Sequence, residues 1–172
     1  MNGIPFDRAP GGETEARPSW EAEAAALRAA PPRGVLFLCV ANSARSQLAE
    51  GIARSLAPAG VTVWSAGSQP TRVRPEATAA LAEIGIDISH HRSKSVSEIP
   101  AAQVDTVITL CGEEECPVFL GKARRLHWGL PDPAGVGGSE AERADAFRRT
   151  RDELRRRLEV VFAPDAPETV CS

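Results

Sequence analysis

Runs of apolar residues alternate along the chain with segments of mixed polarity, and this pattern predicts the strands. Val35 to Leu38 forms an unbroken apolar run, as expected of a strand buried on both faces of a parallel sheet. Shorter apolar runs predict three further strands at residues 61–64, 106–110 and 124–127.

Apolar residues at helical spacing lie between these strands. Leu48 and Ile52 recur on one helical face, a second helix is expected to begin at Pro75, and a long amphipathic helix runs from Ser139 to about Phe162. Strands that alternate with helices predict an α/β fold, here a single-domain three-layer sandwich around a four-stranded parallel sheet. In such a fold the functional site lies at the carboxyl ends of the strands.

The two ends of the chain differ from this central pattern. Residues 1–32 carry five prolines, three glycines and scattered charges, and only the Ala/Glu-rich run from Trp20 to Ala30 is suited to a short helix. We therefore expect a loosely ordered N-terminal extension over 1–32, a catalytic domain over 33–163 and a tail over 164–172.

Composition narrows the function classes. A chain of 172 residues, 42% of them hydrophobic, suffices for one core, and a net charge of -3 argues against a general nucleic-acid binder. All but two of the 20 basic residues are Arg, which grips planar oxyanions bidentately. No apolar stretch approaches the roughly 20 residues that span a bilayer, and no secretory signal pattern is present, so a cytoplasmic protein without membrane contact is expected.

The loop after the first strand carries the strongest chemical signal. It begins at Cys39 and ends at Arg45, directly before the first helix of the central domain. An Arg six positions after a Cys also arises by chance in so Arg-rich a chain. The spacing is informative here because a buried strand precedes the loop and a helix follows it. A tight loop at a helix N-terminus gathers backbone N–H groups around one point, which binds a tetrahedral oxyanion and favours the Cys39 thiolate.

The side chains of this loop fit distinct roles. Arg45 is suited to clamp two substrate oxygens, Ser46 to donate a hydrogen bond to the thiolate, and Asn42 to hold an unusual backbone conformation. The alternative is that Cys39 is only a small buried hydrophobe at the end of a strand. The predicted oxyanion-binding residues are Cys39, Val40, Ala41, Asn42, Ser43, Ala44 and Arg45.

With Asn42 and Ser46, this loop resembles the phosphate-binding loop of low-molecular-weight tyrosine phosphatases and of the arsenate reductases related to them. The resemblance covers about residues 33–162 and implies the fold of those phosphatases. It also implies that Asp132, followed by Pro133, is the general acid, a role in which a carboxyl group protonates a leaving oxygen. The alternative is that Asp132 only begins a turn.

A pair of cysteines later in the chain distinguishes the arsenate reductases from the phosphatases. Cys111 follows the third predicted strand, so it emerges at the same edge of the sheet as Cys39, and Cys116 lies five positions later beyond three glutamates. A helix would hold the Cα atoms of Cys111 and Cys116 roughly 8 Å apart, so the segment would have to unwind to form a disulfide. A phosphatase needs no such pair.

The resemblance to thioredoxin-coupled arsenate reductases implies a role for each cysteine. Cys39 bonds arsenic, Cys111 attacks Cys39 and releases arsenite, and Cys116 resolves the resulting disulfide, which thioredoxin then reduces. The chain also contains no Tyr, and residues 134–138 are Ala-Gly-Val-Gly-Gly, without the aromatic residues that would flank a phosphotyrosine ring. Arsenate is therefore the expected substrate, with phosphate or sulfate as competing oxyanions and no tightly bound cofactor.

Metal binding has two interpretations. A zinc site built from Cys111 and Cys116 with His90, His91 or His127 would lack the second cysteine pair that a structural zinc site needs. His90 and His91 are interpreted simply as polar residues after a strand. Some members of the reductase branch bind potassium, and the resemblance extends to that site: Asn42, Glu50 and Ser65 match its ligands, whereas Lys94 stands where a carboxylate is expected. The ammonium of Lys94 is then a candidate to replace the cation.

Three functions remain open from the sequence: an arsenate reductase, a tyrosine phosphatase on the same scaffold, and a non-catalytic thiol or oxyanion-binding module. A monomer is expected. The sequence does not identify the physiological reductant or the role of the N-terminal extension, and it leaves residual phosphatase activity open.

Overall fold

The protein is described by a computed structural model that covers residues 17–112, 117–119 and 121–164. Four parallel strands form one sheet in the order β2-β1-β3-β4. Their bounds are β1 Gly34–Cys39, β2 Thr62–Gly67, β3 Thr106–Thr109 and β4 Arg124–His127. The predicted α/β class and four-stranded parallel sheet are confirmed.

The register aligns the carboxyl ends of the strands at one edge. Leu38 of β1 lies opposite Ala66 of β2 and Thr109 of β3. The third strand ends at Thr109, one residue earlier than predicted, although the N–H of Leu110 still donates to the carbonyl of Leu38 at 2.9 Å. Cys111 therefore lies just beyond the strand and next to the end of β1.

In the described part of the chain, four α-helices accompany the sheet: α1 Trp20–Ala29, α2 Arg45–Leu56, α3 Pro75–Ala82 and α4 Glu140–Phe162. Ser139 caps α4 in a capping box with Glu142, which satisfies two N–H groups at the start of the helix. No helix in the described ranges is long and apolar enough to cross a membrane.

Both faces of the sheet are covered, because successive side chains of a strand point to opposite sides. Val35 and Phe37 of β1 face the larger core, which the helices close. Leu36 and Leu38 face a smaller core that also contains Phe119. The central strand is therefore buried throughout, as its unbroken apolar run predicted.

Helix α1 differs from the expectation of a loosely ordered extension. Ala24 and Leu27 are buried in the larger core, and the ring of Trp20 lies 4.8 Å from the guanidinium carbon of Arg156. Apolar residues three positions apart give the short helix one face to bury, so over residues 17–32 the chain packs against the domain. Residues 1–16, and the predicted tail from 165 onward, lie outside the described residues.

Candidate active site

The predicted strand, loop and helix at Cys39 are present. Cys39 is the last residue of β1 and is 3% exposed, and α2 begins at Arg45. The loop of residues 40–44 therefore places Cys39 beside the amino end of a helix, where the helix dipole favours negative charge.

The loop carbonyls point outward and are bonded by two other segments of the chain. The N–H groups of Gln69, Thr71 and Arg74 donate to the carbonyls of Val40, Ala41 and Ser43 at 2.9, 3.1 and 2.9 Å, and the Ser93 hydroxyl donates to that of Asn42 at 2.7 Å. A trans peptide points its N–H opposite to its C=O, and the described residues contain no cis peptide. The N–H groups of residues 41–44 consequently face the inside of the loop, an arrangement suited to a tetrahedral oxyanion.

Gly67, at the end of β2, gives the loop room. A Cβ atom at this position would lie 2.3 Å from the carbonyl oxygen of Val40 and 2.9 Å from the nitrogen of Asn42. Both neighbours are backbone atoms, which cannot rotate away. Only glycine lets the strand and the loop approach so closely.

Asn42 holds the loop in a conformation that most residues avoid. Its φ is 47°, in the left-handed region that asparagine tolerates better than other non-glycine residues. Its Oδ1 accepts the backbone N–H of Lys94 at 2.8 Å and Nε2 of Gln47 at 3.0 Å. Because a backbone N–H is always a donor, the orientation of the Asn42 amide is fixed.

This orientation sets the direction of the hydrogen bonds that reach Cys39. Asn42 Nδ2 donates to Ser46 Oγ at 2.8 Å, and Ser46 Oγ lies 2.8 Å from Cys39 Sγ. Since Ser46 Oγ accepts from Asn42, its own hydrogen is available to the sulfur. Ser46 is therefore placed to stabilise a thiolate at Cys39, the role expected of it.

The residues of the predicted cation site are also close together. Asn42 Nδ2 donates to Ser65 Oγ at 2.9 Å, and the Ser65 hydroxyl donates to the buried Glu50 carboxylate. Lys94 Nζ lies 3.4 Å from Glu50 Oε2, and Arg54 pairs with Glu50 Oε1 at 2.7 Å. Two cationic side chains thus compensate a carboxylate that is 1% exposed.

Arg45 is buried and held by backbone carbonyls. Its Nη1 donates to the carbonyl of Leu130 at 2.9 Å and to that of Leu110 at 3.3 Å. These carbonyls belong to the segments that follow β4 and β3, so three chain segments meet at this guanidinium. The sequence indicated Arg45 as an oxyanion-binding residue but did not indicate the two carbonyl groups that accept its hydrogen bonds.

Two residues that the sequence did not indicate, Gln47 and His91, also support the loop. Gln47 Nε2 donates to the carbonyls of Asn42 at 3.2 Å and Arg92 at 3.1 Å, and Gln47 Oε1 lies 3.0 Å from Nδ1 of His91. Burial lowers the pKa of His91, and the Glu50 carboxylate opposes this shift. Because Gln47 Nε2 donates to backbone carbonyls, Gln47 Oε1 is the acceptor in this pair and Nδ1 of His91 is the donor. His91, interpreted from sequence as a simple polar residue, is part of the support of the loop.

The cysteines differ in state. Cys39 is a free thiol, whereas Cys111 is fully buried and disulfide-bonded. Cys116 lies outside the described residues. Gly129 packs on the backbone of Cys111, since a Cβ atom at Gly129 would lie 2.8 Å from the Cys111 carbonyl oxygen.

Asp132 lies at the same edge, two residues after Leu130, the acceptor of Arg45. It is exposed, and its Oδ1 accepts the N–H of Ala134 at 3.0 Å, so it caps the short 3-10 turn Pro133–Gly135. This bond corresponds to the turn-forming role that was the alternative to general-acid catalysis. It uses one carboxylate oxygen, and the exposure of the residue leaves its carboxyl group open to solvent.

The histidines considered for a metal site have other partners. His91 bonds Gln47, and Nδ1 of His127 lies 2.7 Å from Oγ1 of Thr109. Within the described ranges, no three His, Cys, Asp or Glu side chains are grouped in a way that could hold a metal ion.

Comparison with known proteins agrees with this geometry. The family described as low molecular weight phosphotyrosine protein phosphatase matches residues 34–164. An arsenate reductase of Halalkalibacterium halodurans is 40% identical over 126 residues, which cover 72% of this chain and 91% of that protein.

Two solved structures extend the comparison. One, described as an arsenate reductase in the phosphate binding state, has a TM-score of 0.64 at 36% identity and covers 76% of this chain and 97% of that chain. The thioredoxin-dependent arsenate reductase of Corynebacterium glutamicum has a TM-score of 0.53 at 29% identity and covers 81% of this chain and 70% of that chain. With its Cys39 loop, its parallel sheet and these relatives, this chain belongs to the low molecular weight phosphotyrosine protein phosphatase family.

Proposed function

We propose that this chain is an arsenate reductase with Cys39 as its nucleophile. The observation that carries the proposal is the setting of the Cys39 sulfur, 2.8 Å from Ser46 Oγ in a loop whose N–H groups face inward. The relatives named arsenate reductases support arsenate as the substrate. Phosphate and sulfate, which share its tetrahedral shape and negative charge, are expected competitors.

The first step is attack of the Cys39 thiolate on arsenic. The loop N–H groups and the Arg45 guanidinium hold the arsenate oxygens and balance the charge that develops on them. A sulfur–arsenic bond forms, an arsenic–oxygen bond breaks, and the oxygen leaves as water after protonation. Asp132 supplies that proton in this proposal.

The second and third steps transfer electrons through thiols. Cys111 attacks the Cys39 sulfur, and the electron pair of the sulfur–arsenic bond passes to arsenic, which leaves as arsenite. Cys116 then attacks Cys111, which frees Cys39 and leaves a Cys111–Cys116 disulfide. The position of Cys111 beside the end of β1 supports the first of these transfers.

A dithiol protein is needed to regenerate the enzyme, and we propose thioredoxin. The Corynebacterium glutamicum relative is described as thioredoxin-dependent. A disulfide at Cys111 beside a free Cys39 is the state that the relay leaves for an external reductant. The proposed chemistry needs no tightly bound cofactor, and a monomer suffices for it.

A coupled assay tests the reaction, the substrate and the reductant together. Purified protein is mixed with thioredoxin, thioredoxin reductase and NADPH, and NADPH loss is followed with and without arsenate. Arsenate-dependent loss is expected. Hydrolysis of aryl phosphate without thiol consumption would instead favour a phosphatase, and oxyanion binding without either reaction would leave a non-catalytic module.

Asp132→Ala is expected to lower any weak aryl phosphatase activity by about a hundredfold, because a leaving oxygen then departs without a proton. Hydrolysis of p-nitrophenyl phosphate measures the effect. Asp87→Ala is a matched control, since Asp87 is also exposed and accepts the N–H of the residue two positions later, at 2.8 Å. Equal loss in both variants, or efficient hydrolysis of phosphotyrosine peptides by the wild type, would contradict this assignment.

Arsenate reduction is expected to be the same in potassium and sodium salts at equal ionic strength, because the Lys94 ammonium already compensates Glu50. Lys94→Ala should lower the rate and make it depend on potassium. Lys122→Ala, which removes an exposed lysine, should behave like wild type. Stimulation of the wild-type rate by potassium would show that the ammonium does not replace a cation.

A further inference from the structure

Helix α1 precedes the family-matched residues 34–164, yet it reaches the segment that holds Arg45. The Glu23 carboxylate of α1 accepts the indole N–H of Trp128 at 2.9 Å. We infer that Glu23 is a positioning residue for the oxyanion-binding Arg45, acting through Trp128 and the backbone of Leu130.

The first link is between the helix and the indole. Trp128 is 1% exposed, and a buried indole N–H needs an acceptor. Glu23 provides that acceptor from a helix fixed by its buried residues Ala24 and Leu27. Burial raises the pKa of Glu23, while the bond from Trp128 opposes the shift, as expected of a carboxylate partly removed from water.

The second link is between Trp128 and the guanidinium. The N–H groups of Trp128 and Leu130 donate to the carbonyls of Thr109 and Leu110 at 2.8 and 3.2 Å, so residues 128–130 run beside the end of β3. The carbonyl of Leu130 is the nearer acceptor of Arg45 Nη1, at 2.9 Å. A shift of this segment therefore moves an atom that sets the direction of Arg45.

The same short segment lies against the second cysteine. Gly129, between Trp128 and Leu130, packs so closely on the Cys111 backbone that no side chain fits between them. Glu23 thus holds a segment that touches both the oxyanion clamp and the backbone of the attacking thiol. The inference deepens the proposed function, on which it rests for the identity of the oxyanion.

Inorganic phosphate, titrated calorimetrically at 25 °C, tests the link without requiring turnover. Glu23→Ala is expected to weaken phosphate binding roughly tenfold, and kcat/KM for arsenate should fall by at least the same factor, because Arg45 both binds the oxyanion and balances its developing charge. Glu23→Gln should bind phosphate like wild type, because its amide oxygen still accepts the indole N–H. Glu21→Ala, which removes an exposed glutamate of the same helix, is the matched control.

Two further variants separate positioning from general stability. Trp128→Phe keeps an aromatic ring but lacks the donor, so it should reproduce the loss even where Glu23→Ala fails to fold. In an Arg45→Ala background, Glu23→Ala should have no further effect, since its influence passes through Arg45. Wild-type phosphate affinity in Trp128→Phe, or additive losses in the double variant, would overturn the inference. If the wild type fails to reduce arsenate while phosphate binding still depends on Glu23, the proposed function is wrong and this inference stands.

Discussion

Cys39→Ser is expected to abolish arsenate reduction, with a loss of at least about a thousandfold in rate, because a serine hydroxyl offers no comparable thiolate. The fold and weak oxyanion binding should persist, since the loop N–H groups and Arg45 remain in place. Arsenite release measures the first effect, and phosphate calorimetry measures the second.

Arg45→Ala is expected to have the opposite effect to Cys39→Ser: binding is weakened and the thiol is kept. It should weaken phosphate binding while leaving the Cys39 thiol present and open to alkylation. Turnover at the wild-type rate by Cys39→Ser would eliminate Cys39 as the nucleophile and with it the proposed mechanism. Loss of phosphate binding in a folded Cys39→Ser variant would show that the sulfur itself is required to bind the oxyanion.

Cys116→Ser is expected to release about one equivalent of arsenite and then stop with a Cys39–Cys111 disulfide. The attack of Cys111 on the arsenic adduct is intact in this variant, but the thiol that resolves the disulfide is missing. Multiple turnover with thioredoxin should fail. Peptide mapping after a single turnover identifies the bonded cysteines.

The remaining cysteines give the controls for this order of transfers. Cys111→Ser should retain the arsenic adduct without forming the first disulfide, and Cys171→Ser should cycle like wild type because Cys171 is remote in sequence from the other three cysteines. A disulfide between Cys39 and Cys171, or normal cycling by Cys116→Ser, would contradict the relay. Cys116 and Cys171 lie outside the described residues, so these chemical tests determine their roles.

The local parts of the site could be predicted from sequence. The apolar run before Cys39 and the helical spacing after Arg45 define a strand, a tight loop and a helix from adjacent residues, and that geometry implies an anion-binding loop. Ser46 belongs to the same short segment. Its bond to Cys39 follows from its place in the first turn of α2.

The supports of the site could not be predicted in the same way. His91 meets Gln47 across 44 positions, and Glu23 meets Trp128 across 105. Such pairings depend on how helices and loops pack on the sheet, and neither partner carries a periodic signal for the other. The Ala/Glu-rich run did indicate a helix, but polar and small residues gave little sign that it would be buried against the domain.

Gly67 shows that the candidate active site depends on residues that take no part in its chemistry. This residue lies in the second strand and has no group that can react, yet the space a methyl group would occupy there is filled by Val40 and Asn42. The loop of residues 40–44 can therefore follow its curved path only because residue 67 has no side chain. In a survey of all substitutions, position 67 should therefore tolerate as few replacements as Cys39, for reasons of volume alone.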